Sequence, residues 1–391
     1  MGSTIYVWPT EFCRSGCAHC SFSSVPISQV HPAAPRRNTL RDTDLQLKAM
    51  QLVKDAGVWK FVLSGGGEPM EEPEAVYNFV ANVSSDRLEE IELITNGFWA
   101  TDPSEAFLTL SRLRDYFVGR PSHAKETFKL RLSIDQFHRK ALGLECLVNI
   151  VRLAELEEFD CIDVYLRSVK LSGDTSVPEL AMRVGAQLTP EVDFQRYMVM
   201  PTGNRYLVYY KNLTFEGRLR GKRAQFLPED YTSGAQFEKR LHDFQGRYIP
   251  ARTYNGPEVR FLDGLALILE PDGAIKIVDG NSPDNVPNVR DRTWTQALQD
   301  WYRDPITVFL LEHGPWDLAE VMRELDPSTV ERLREDNQIY YLVDRLLLSP
   351  FHRLWATVRI LRIHLYAHRV EVEPSVLAEA DDWLNRVIHS C

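Results

Sequence analysis

Short β-branched and aromatic runs alternate with amphipathic stretches through the first half of the chain. This is the order expected of parallel strands joined by crossover helices. The apolar run from Thr4 to Trp8 predicts a first strand, and after a Pro-rich connection Leu45, Ala49, Leu52, Val53 and Ala56 recur at helical spacing. That stripe predicts a helix over 43–56, ending where Gly57 can take the left-handed conformation. Further strands are predicted over 60–63, 90–94, 128–134, 161–169 and 196–200, with helices near 75–83, 105–117, 140–156 and 179–184. The result is an α/β class and six βα units within residues 1–205.

From about Tyr206 the pattern changes. A linker carries the basic cluster Arg218-Leu-Arg-Gly-Lys-Arg223, which reads as a solvated loop or as a clamp for an acidic group. Two strand-like runs, 265–270 and 274–278, flank Pro271-Asp272-Gly273, a hairpin signal, and a helix is expected to begin near Thr293. Residues 206–304 are therefore expected to form a small hairpin-and-helix extension. Residues 305–391 are expected to be helical, with capping boxes Asp317-x-x-Glu320 and Ser328-x-x-Glu331 marking two starts.

Charge narrows the possible partners. The 391 residues carry 45 basic and 55 acidic side chains, a net charge of -10, which argues against a general affinity for nucleic acid or anionic membranes. No apolar run has the length of a membrane span, and the N-terminus does not read as a signal peptide. A cytoplasmic protein is expected. The scattered Cys146, Cys161 and Cys391 do not suggest a disulfide framework, and Cys146 reads as a buried structural thiol.

The chemistry-bearing stretch follows the first strand. Cys13, Cys17 and Cys20 stand in a CxxxCxxC spacing on one short loop. Three thiolates leave a four-iron, four-sulfur cluster one ligand short, and an iron with an open position can bind a small molecule. A zinc site completed by His19 or His31, or a disulfide, stays open on spacing alone. At the end of the second predicted strand lies Ser64-Gly-Gly-Gly-Glu68-Pro69, and at the end of the third Thr95-Asn96-Gly97. Arg131, Ser133 and Asp135 should share a face of the fourth strand, and Asp163, Tyr165 and Arg167 a face of the fifth.

In this order the motifs resemble the radical S-adenosylmethionine (SAM) superfamily over about residues 4–205. The resemblance implies a partial (β/α)6 TIM-like barrel with its site at the C-terminal ends of the strands. It implies that Cys13, Cys17 and Cys20 hold one 4Fe-4S cluster and that SAM chelates the remaining iron. Reductive cleavage of SAM would then give a 5′-deoxyadenosyl radical that abstracts hydrogen from a substrate, with a flavodoxin or ferredoxin as electron donor. Gly66, Gly67 and Glu68 match the family segment that contacts the methionine amine of SAM, Asn96 belongs to a recurrent Thr-Asn-Gly, and Ser133 and Arg167 match positions that hold its carboxylate or ribose. Asp135 completes the strand-four Ser-x-Asp. His19, beside the third cysteine, stands where an aromatic residue often contacts adenine.

The extension looks similar to the SPASM or twitch region of peptide-modifying members, but it has no cysteine with which to ligate auxiliary clusters. A peptide or amino-acid substrate in natural-product biosynthesis is therefore expected, with any leader recognition supplied by a partner because the chain opens on the first barrel strand. The competing expectation is a small molecule such as a sugar or nucleoside. An alternative of another class is a non-catalytic zinc or iron-sulfur protein. Oligomeric state has no signal in the sequence.

Overall fold

Burial alternates residue by residue along several of the strands. In β4 (Thr127–Ser133) Phe128, Leu130 and Leu132 are fully buried, while Lys129, Arg131 and Ser133 between them are only partly covered. β1 (Thr4–Val7) and β5 (Ile162–Lys170) alternate in the same way. The computed structural model describes residues 3–20, 39–213, 215, 217–219, 222–227, 266–278, 280–335 and 342–367. His31 and Cys391 lie outside these described residues.

The apolar side of each strand meets helices. α1 (Thr43–Asp55), α2 (Pro73–Asn82) and α3 (Pro103–Val118) follow β1, β2 (Lys60–Leu63) and β3 (Glu90–Thr95) in turn. Leu45, Val53, Val76, Phe79 and Leu113 of these helices share one core cluster with Ile5, Phe61, Ile91 and Phe128 of the sheet. Burying one such side chain contributes about 1.5–3 kcal/mol, so this face sets the strand register. Gly57 has a φ of 58°, as its position after α1 requires.

The predicted helix over 140–156 is two helices, α4 (Gln136–Leu142) and α5 (Glu145–Leu153). Gly143, at φ 74°, breaks the run between them. α6 (Ser176–Val184) then leads into a hairpin that corrects the sixth unit. β7 (Gln195–Val199), preceded by the two-residue β6 (Gln187–Leu188), runs antiparallel to β8 (Arg205–Asn212), and β8 makes the parallel pairing with β5. The turn at Thr202-Gly203 reverses the chain, with Gly203 at φ 97°. The sixth parallel strand is therefore β8, which begins at Arg205.

The later hairpin, β9 (Ala266–Leu269) with β10 (Ile275–Ile277), joins the same sheet, because β9 pairs in parallel with β1. The strand order is β10-β9-β1-β2-β3-β4-β5-β8-β7-β6, an open sheet that matches a partial TIM-like barrel in its parallel middle. Arg290 pairs with Asp42 at 3.0 Å and Lys48 donates to the Arg290 carbonyl, tying the extension to the start of α1. Thr293 and Gln296 form the capping box of the helix Trp294–Tyr302.

The C-terminal helices have their own core around Phe309, Leu310, Leu318, Met322, Leu347 and Ile360. Their starts correct the two predicted capping boxes. Pro315 opens one helix, which places Asp317 inside it. Pro327 opens the other, where Asp326 accepts from the Thr329 amide. Proline at the first helical position sets both boundaries.

Candidate cofactor site

The loops after β1, β2 and β3 pack against one another. Gly67 donates its amide to the Thr10 carbonyl at 3.1 Å and Glu68 donates to the Phe12 carbonyl at 2.8 Å. A Cβ on Gly67 would stand 2.3 Å from the Phe12 oxygen, so only glycine lets this loop lie so close to the residue before Cys13. Arg14 grips Glu71 through Nε and Nη2, both at 2.8 Å, and lies over the Phe98 ring at 3.7 Å.

Glu68 joins the second and third loops. Its Oε1 accepts from Thr95 Oγ1 at 2.6 Å and from the Met70 amide at 3.3 Å, and its Oε2 accepts from the Asn96 amide at 2.8 Å. Burial pushes this carboxyl up to about 7 against the lowering effect of those bonds. Its acceptors are thus engaged by donors of the chain itself. Asn96 continues the chain of contacts to the cysteine loop, donating through Nδ2 to Ser15 Oγ at 2.8 Å and lying 3.8 Å from Cys13 Sγ. Cys13 is partly buried and Cys17 buried, and the Cys20 amide closes a turn onto the Cys17 carbonyl.

At the ends of β4 and β5, Ser133 and Arg167 are register partners. Arg167 Nε is buried and has no hydrogen-bond partner among the described residues. Asp135 is 2% exposed and caps α4, its Oδ1 accepting from the Phe137 and His138 amides. Its Oδ2 faces His138 Nδ1 at 2.8 Å and His19 Nε2 at 3.3 Å. Burial would raise the Asp135 carboxyl, but the neighbouring His138 and His19 outweigh it and hold the group well below the usual carboxylate range. Burial dominates at His19 and lowers it to about 3, against the raising effect of Asp135. The His19 ring stacks on Phe137 with centroids 4.6 Å apart, which covers one of its faces.

The segment after β8 closes over this corner. Phe215 and Leu219 pack with Val169, Leu213 and the partly buried Phe137 and Phe226. Arg218 donates from Nη1 to the Gly16 carbonyl at 2.5 Å and from its amide to the Cys20 carbonyl at 3.3 Å. Part of the predicted basic cluster therefore grips the cysteine loop. On the face of the sheet opposite the helices, Lys60 pairs with Glu90 and Glu92 at 2.5 and 2.7 Å, Lys129 pairs with Glu90, and Arg131 and Tyr165 meet Glu92. Arg131 and Tyr165, from the polar faces predicted for β4 and β5, thus belong to one charged ladder.

Residues 8–173, which run from the loop after β1 to just beyond β5, match the family model of the Radical SAM superfamily. They form a radical SAM domain. A domain of this family implies SAM and a 4Fe-4S cluster as its cofactors. No curated protein matches the chain by sequence. Among solved structures, the chain is similar to BtrN in complex with AdoMet and 2-DOIA, with 15% identity over 42% of this chain and 57% of that one and a TM-score of 0.27. It is also similar to coproporphyrinogen III oxidase (HemN) from Escherichia coli, a radical SAM enzyme, with 12% identity over 71% of this chain and 66% of that one and a TM-score of 0.35. The match spans less than two thirds of either protein.

The donor set of the radical SAM domain suits these cofactors. Three thiols on one loop are the soft ligands that iron-sulfur clusters take. Burial raises the Cys13 thiol to about 11, so metal binding there must displace a proton. The orphaned Nε of Arg167 calls for an anionic or hydrogen-bond-accepting partner, such as a carboxylate. Two contributors escape sequence reasoning, His138 and Arg218. The only sequence signals for them were a histidine three residues after the Ser-x-Asp and a basic run in an acidic chain. Among the described residues no helix is long and apolar enough to cross a membrane.

Proposed function

We propose that Cys13, Cys17 and Cys20 ligate the 4Fe-4S cluster and that Gly66, Gly67, Ser133 and Arg167 line the place of SAM. When bound, these cofactors supply the electron and the carbon radical that abstracts hydrogen from the substrate. The observation that carries the reading is the interlocking of the three loops, in which the Gly67 backbone abuts Phe12 and Glu68 binds Asn96. Glu68, Asn96 and Asp135 act as braces whose polar groups fix the loops. Arg167 offers its guanidinium, a natural carboxylate partner, to the methionine end of SAM.

The substrate reading is a peptide or amino acid in natural-product biosynthesis, supported by the hairpin and helix of the extension. The ladder of Lys60, Glu90, Glu92, Lys129, Arg131 and Tyr165 favours a polar substrate. A sugar or nucleoside is the competing substrate. An acidic flavodoxin or ferredoxin suits the basic segment around Arg218 as electron donor, and an oxygen-sensitive cluster suits the cytoplasm.

The test is anaerobic reconstitution with iron and sulfide, followed by SAM, dithionite and quantification of 5′-deoxyadenosine. Product from the wild type and none from Cys17→Ala is the expected result. An intact cluster with no product, and with a spin-resonance spectrum indifferent to SAM, would return the protein to the non-catalytic class. Adding candidate peptides and sugars then separates the substrate readings by which one accelerates product formation.

A further inference from the structure

We infer that the inner face of the β7–β8 hairpin seats the substrate, and that Arg205 binds an anionic group, a carboxylate or phosphate, at the end of that substrate remote from SAM. This rests on the proposal that SAM lies near Arg167, at the C-terminal end of β5.

Strand register fixes which side chains share this face. Arg167 of β5 stands opposite Tyr209 of β8, and Tyr209 stands opposite Gln195 of β7. Toward the start of β8 the next rows pair Leu207 with Tyr197 and Arg205 with Val199. Successive residues of a strand point to opposite faces. Leu166, Met198, Tyr206 and Val208, which alternate with these positions, belong to the core under the helices. The rows of Arg167, Tyr197, Arg205 and Tyr209 therefore look into the barrel.

This face is built to receive a ligand. Tyr197 and Tyr209 are each 38% exposed, and neither hydroxyl has a hydrogen-bond partner among the described residues. The Arg205 guanidinium lies over the Tyr197 ring at 4.2 Å. Its side chain makes no ion pair or hydrogen bond among the described residues, although the chain carries a net charge of -10. Arg196, on the other face of the same hairpin, lies over Tyr210 and pairs with Glu191. Stacking on Tyr197 directs the Arg205 guanidinium and leaves its in-plane N–H groups free. That planar fork matches a carboxylate or phosphate, which supplies the charge that the protein withholds here.

Spacing sets the length of the ligand. Arg205 and Tyr209 are four positions apart on β8, which corresponds to about 13 Å at a strand rise of about 3.3 Å per residue. A single amino acid or monosaccharide is too short to reach from the Arg167 row to Arg205. An extended peptide of about four residues reaches, and so does a nucleotide sugar. The body of either lies along Tyr197 and Leu207, with its reacting end beside Arg167.

The experiment is isothermal titration calorimetry of the anaerobically reconstituted, SAM-loaded protein with two anionic probes and their neutral counterparts. The probes are the capped tetrapeptides Ala-Ala-Tyr-Glu and Ala-Ala-Tyr-Gln, and UDP-glucose and uridine. Wild type should bind at least one anionic probe about tenfold or more tighter than its neutral counterpart, and the ratio should fall to about one in Arg205→Gln. Arg205→Lys, which keeps the charge without the fork, should fall between them. Preference for the acidic peptide would identify a peptide carboxylate as the anionic group, and preference for UDP-glucose a sugar-linked phosphate. No binding of any probe, equal binding of charged and neutral probes, or a preference that survives Arg205→Gln would overturn the inference. The radical reading has its own control in wild type without probe. Absence of 5′-deoxyadenosine there, beside Arg205-dependent binding, would sink that reading and leave the anion site standing.

Discussion

The Asn96 amide donates to Glu68 Oε2 at 2.8 Å, which makes the loops after β2 and β3 one hydrogen-bonded unit. Glu68→Ala would strand three donors, the Thr95 hydroxyl and the amides of Met70 and Asn96. An unsatisfied buried donor costs about 1–3 kcal/mol, so the variant should lose at least ~2 kcal/mol of stability. Urea unfolding of the cluster-free protein measures this. A loss within error would mean that water or a shifted loop satisfies the donors.

The same carboxyl gives a pH dependence. Burial raises Glu68 from 4.5 to about 7 in the folded state, so between those values the native protein binds more protons than the unfolded chain. Stability from this group is fully present below about pH 4.5 and is lost as pH rises through about 7. The stability of the wild type relative to Glu68→Gln should therefore fall across that window. Unfolding curves for the two proteins at a series of pH values would refute the assignment if their difference stayed flat.

Gly67→Ala tests the close packing of the loops directly. Its Cβ would meet backbone atoms of Glu11 and Phe12 at 2.3–2.6 Å, and backbone has no flexible end that can swing away. The cysteine loop must move, while the sheet behind it need not. We expect iron incorporation to fall severalfold with an unchanged far-ultraviolet circular dichroism spectrum. Normal iron content would show that the loop contact does not position the thiols.

The period of two in β4 and the stripe of α1 made most of the sheet readable, because side-chain burial there depends on local alternation. A β-rich run carries no mark of its direction, so β7 reads as a sixth parallel strand from sequence alone. Its antiparallel partner, β8, lies after a turn with the residues of a strand end. The hairpin at β9 and β10 was legible as a hairpin, whereas its pairing with β1 is a contact between distant parts of the chain. For the motif residues the types were legible, whereas the donors they meet within the chain, Thr95 and Asn96 at Glu68 and His138 and the start of α4 at Asp135, lie far apart in sequence or carry no mark of their own.

Arg218 offers the last test, of whether the segment after the barrel belongs to the cofactor site. It holds the cysteine loop at two points, with Nη1 on the Gly16 carbonyl and its amide on the Cys20 carbonyl. Arg218→Ala removes only the first, a charge-assisted bond of about 1.5–3 kcal/mol. If all of that acted on the loop's opening equilibrium, the opened population would rise by roughly tenfold or more, since each 1.4 kcal/mol is a factor of ten. The reconstituted variant should therefore lose iron to a chelator several times faster than the wild type. Arg218→Lys should restore part of the retention, because it keeps one donor on the Gly16 carbonyl. Equal loss rates in all three proteins would make the Arg218 contact incidental and confine the cofactor site to the loops after β1 to β5.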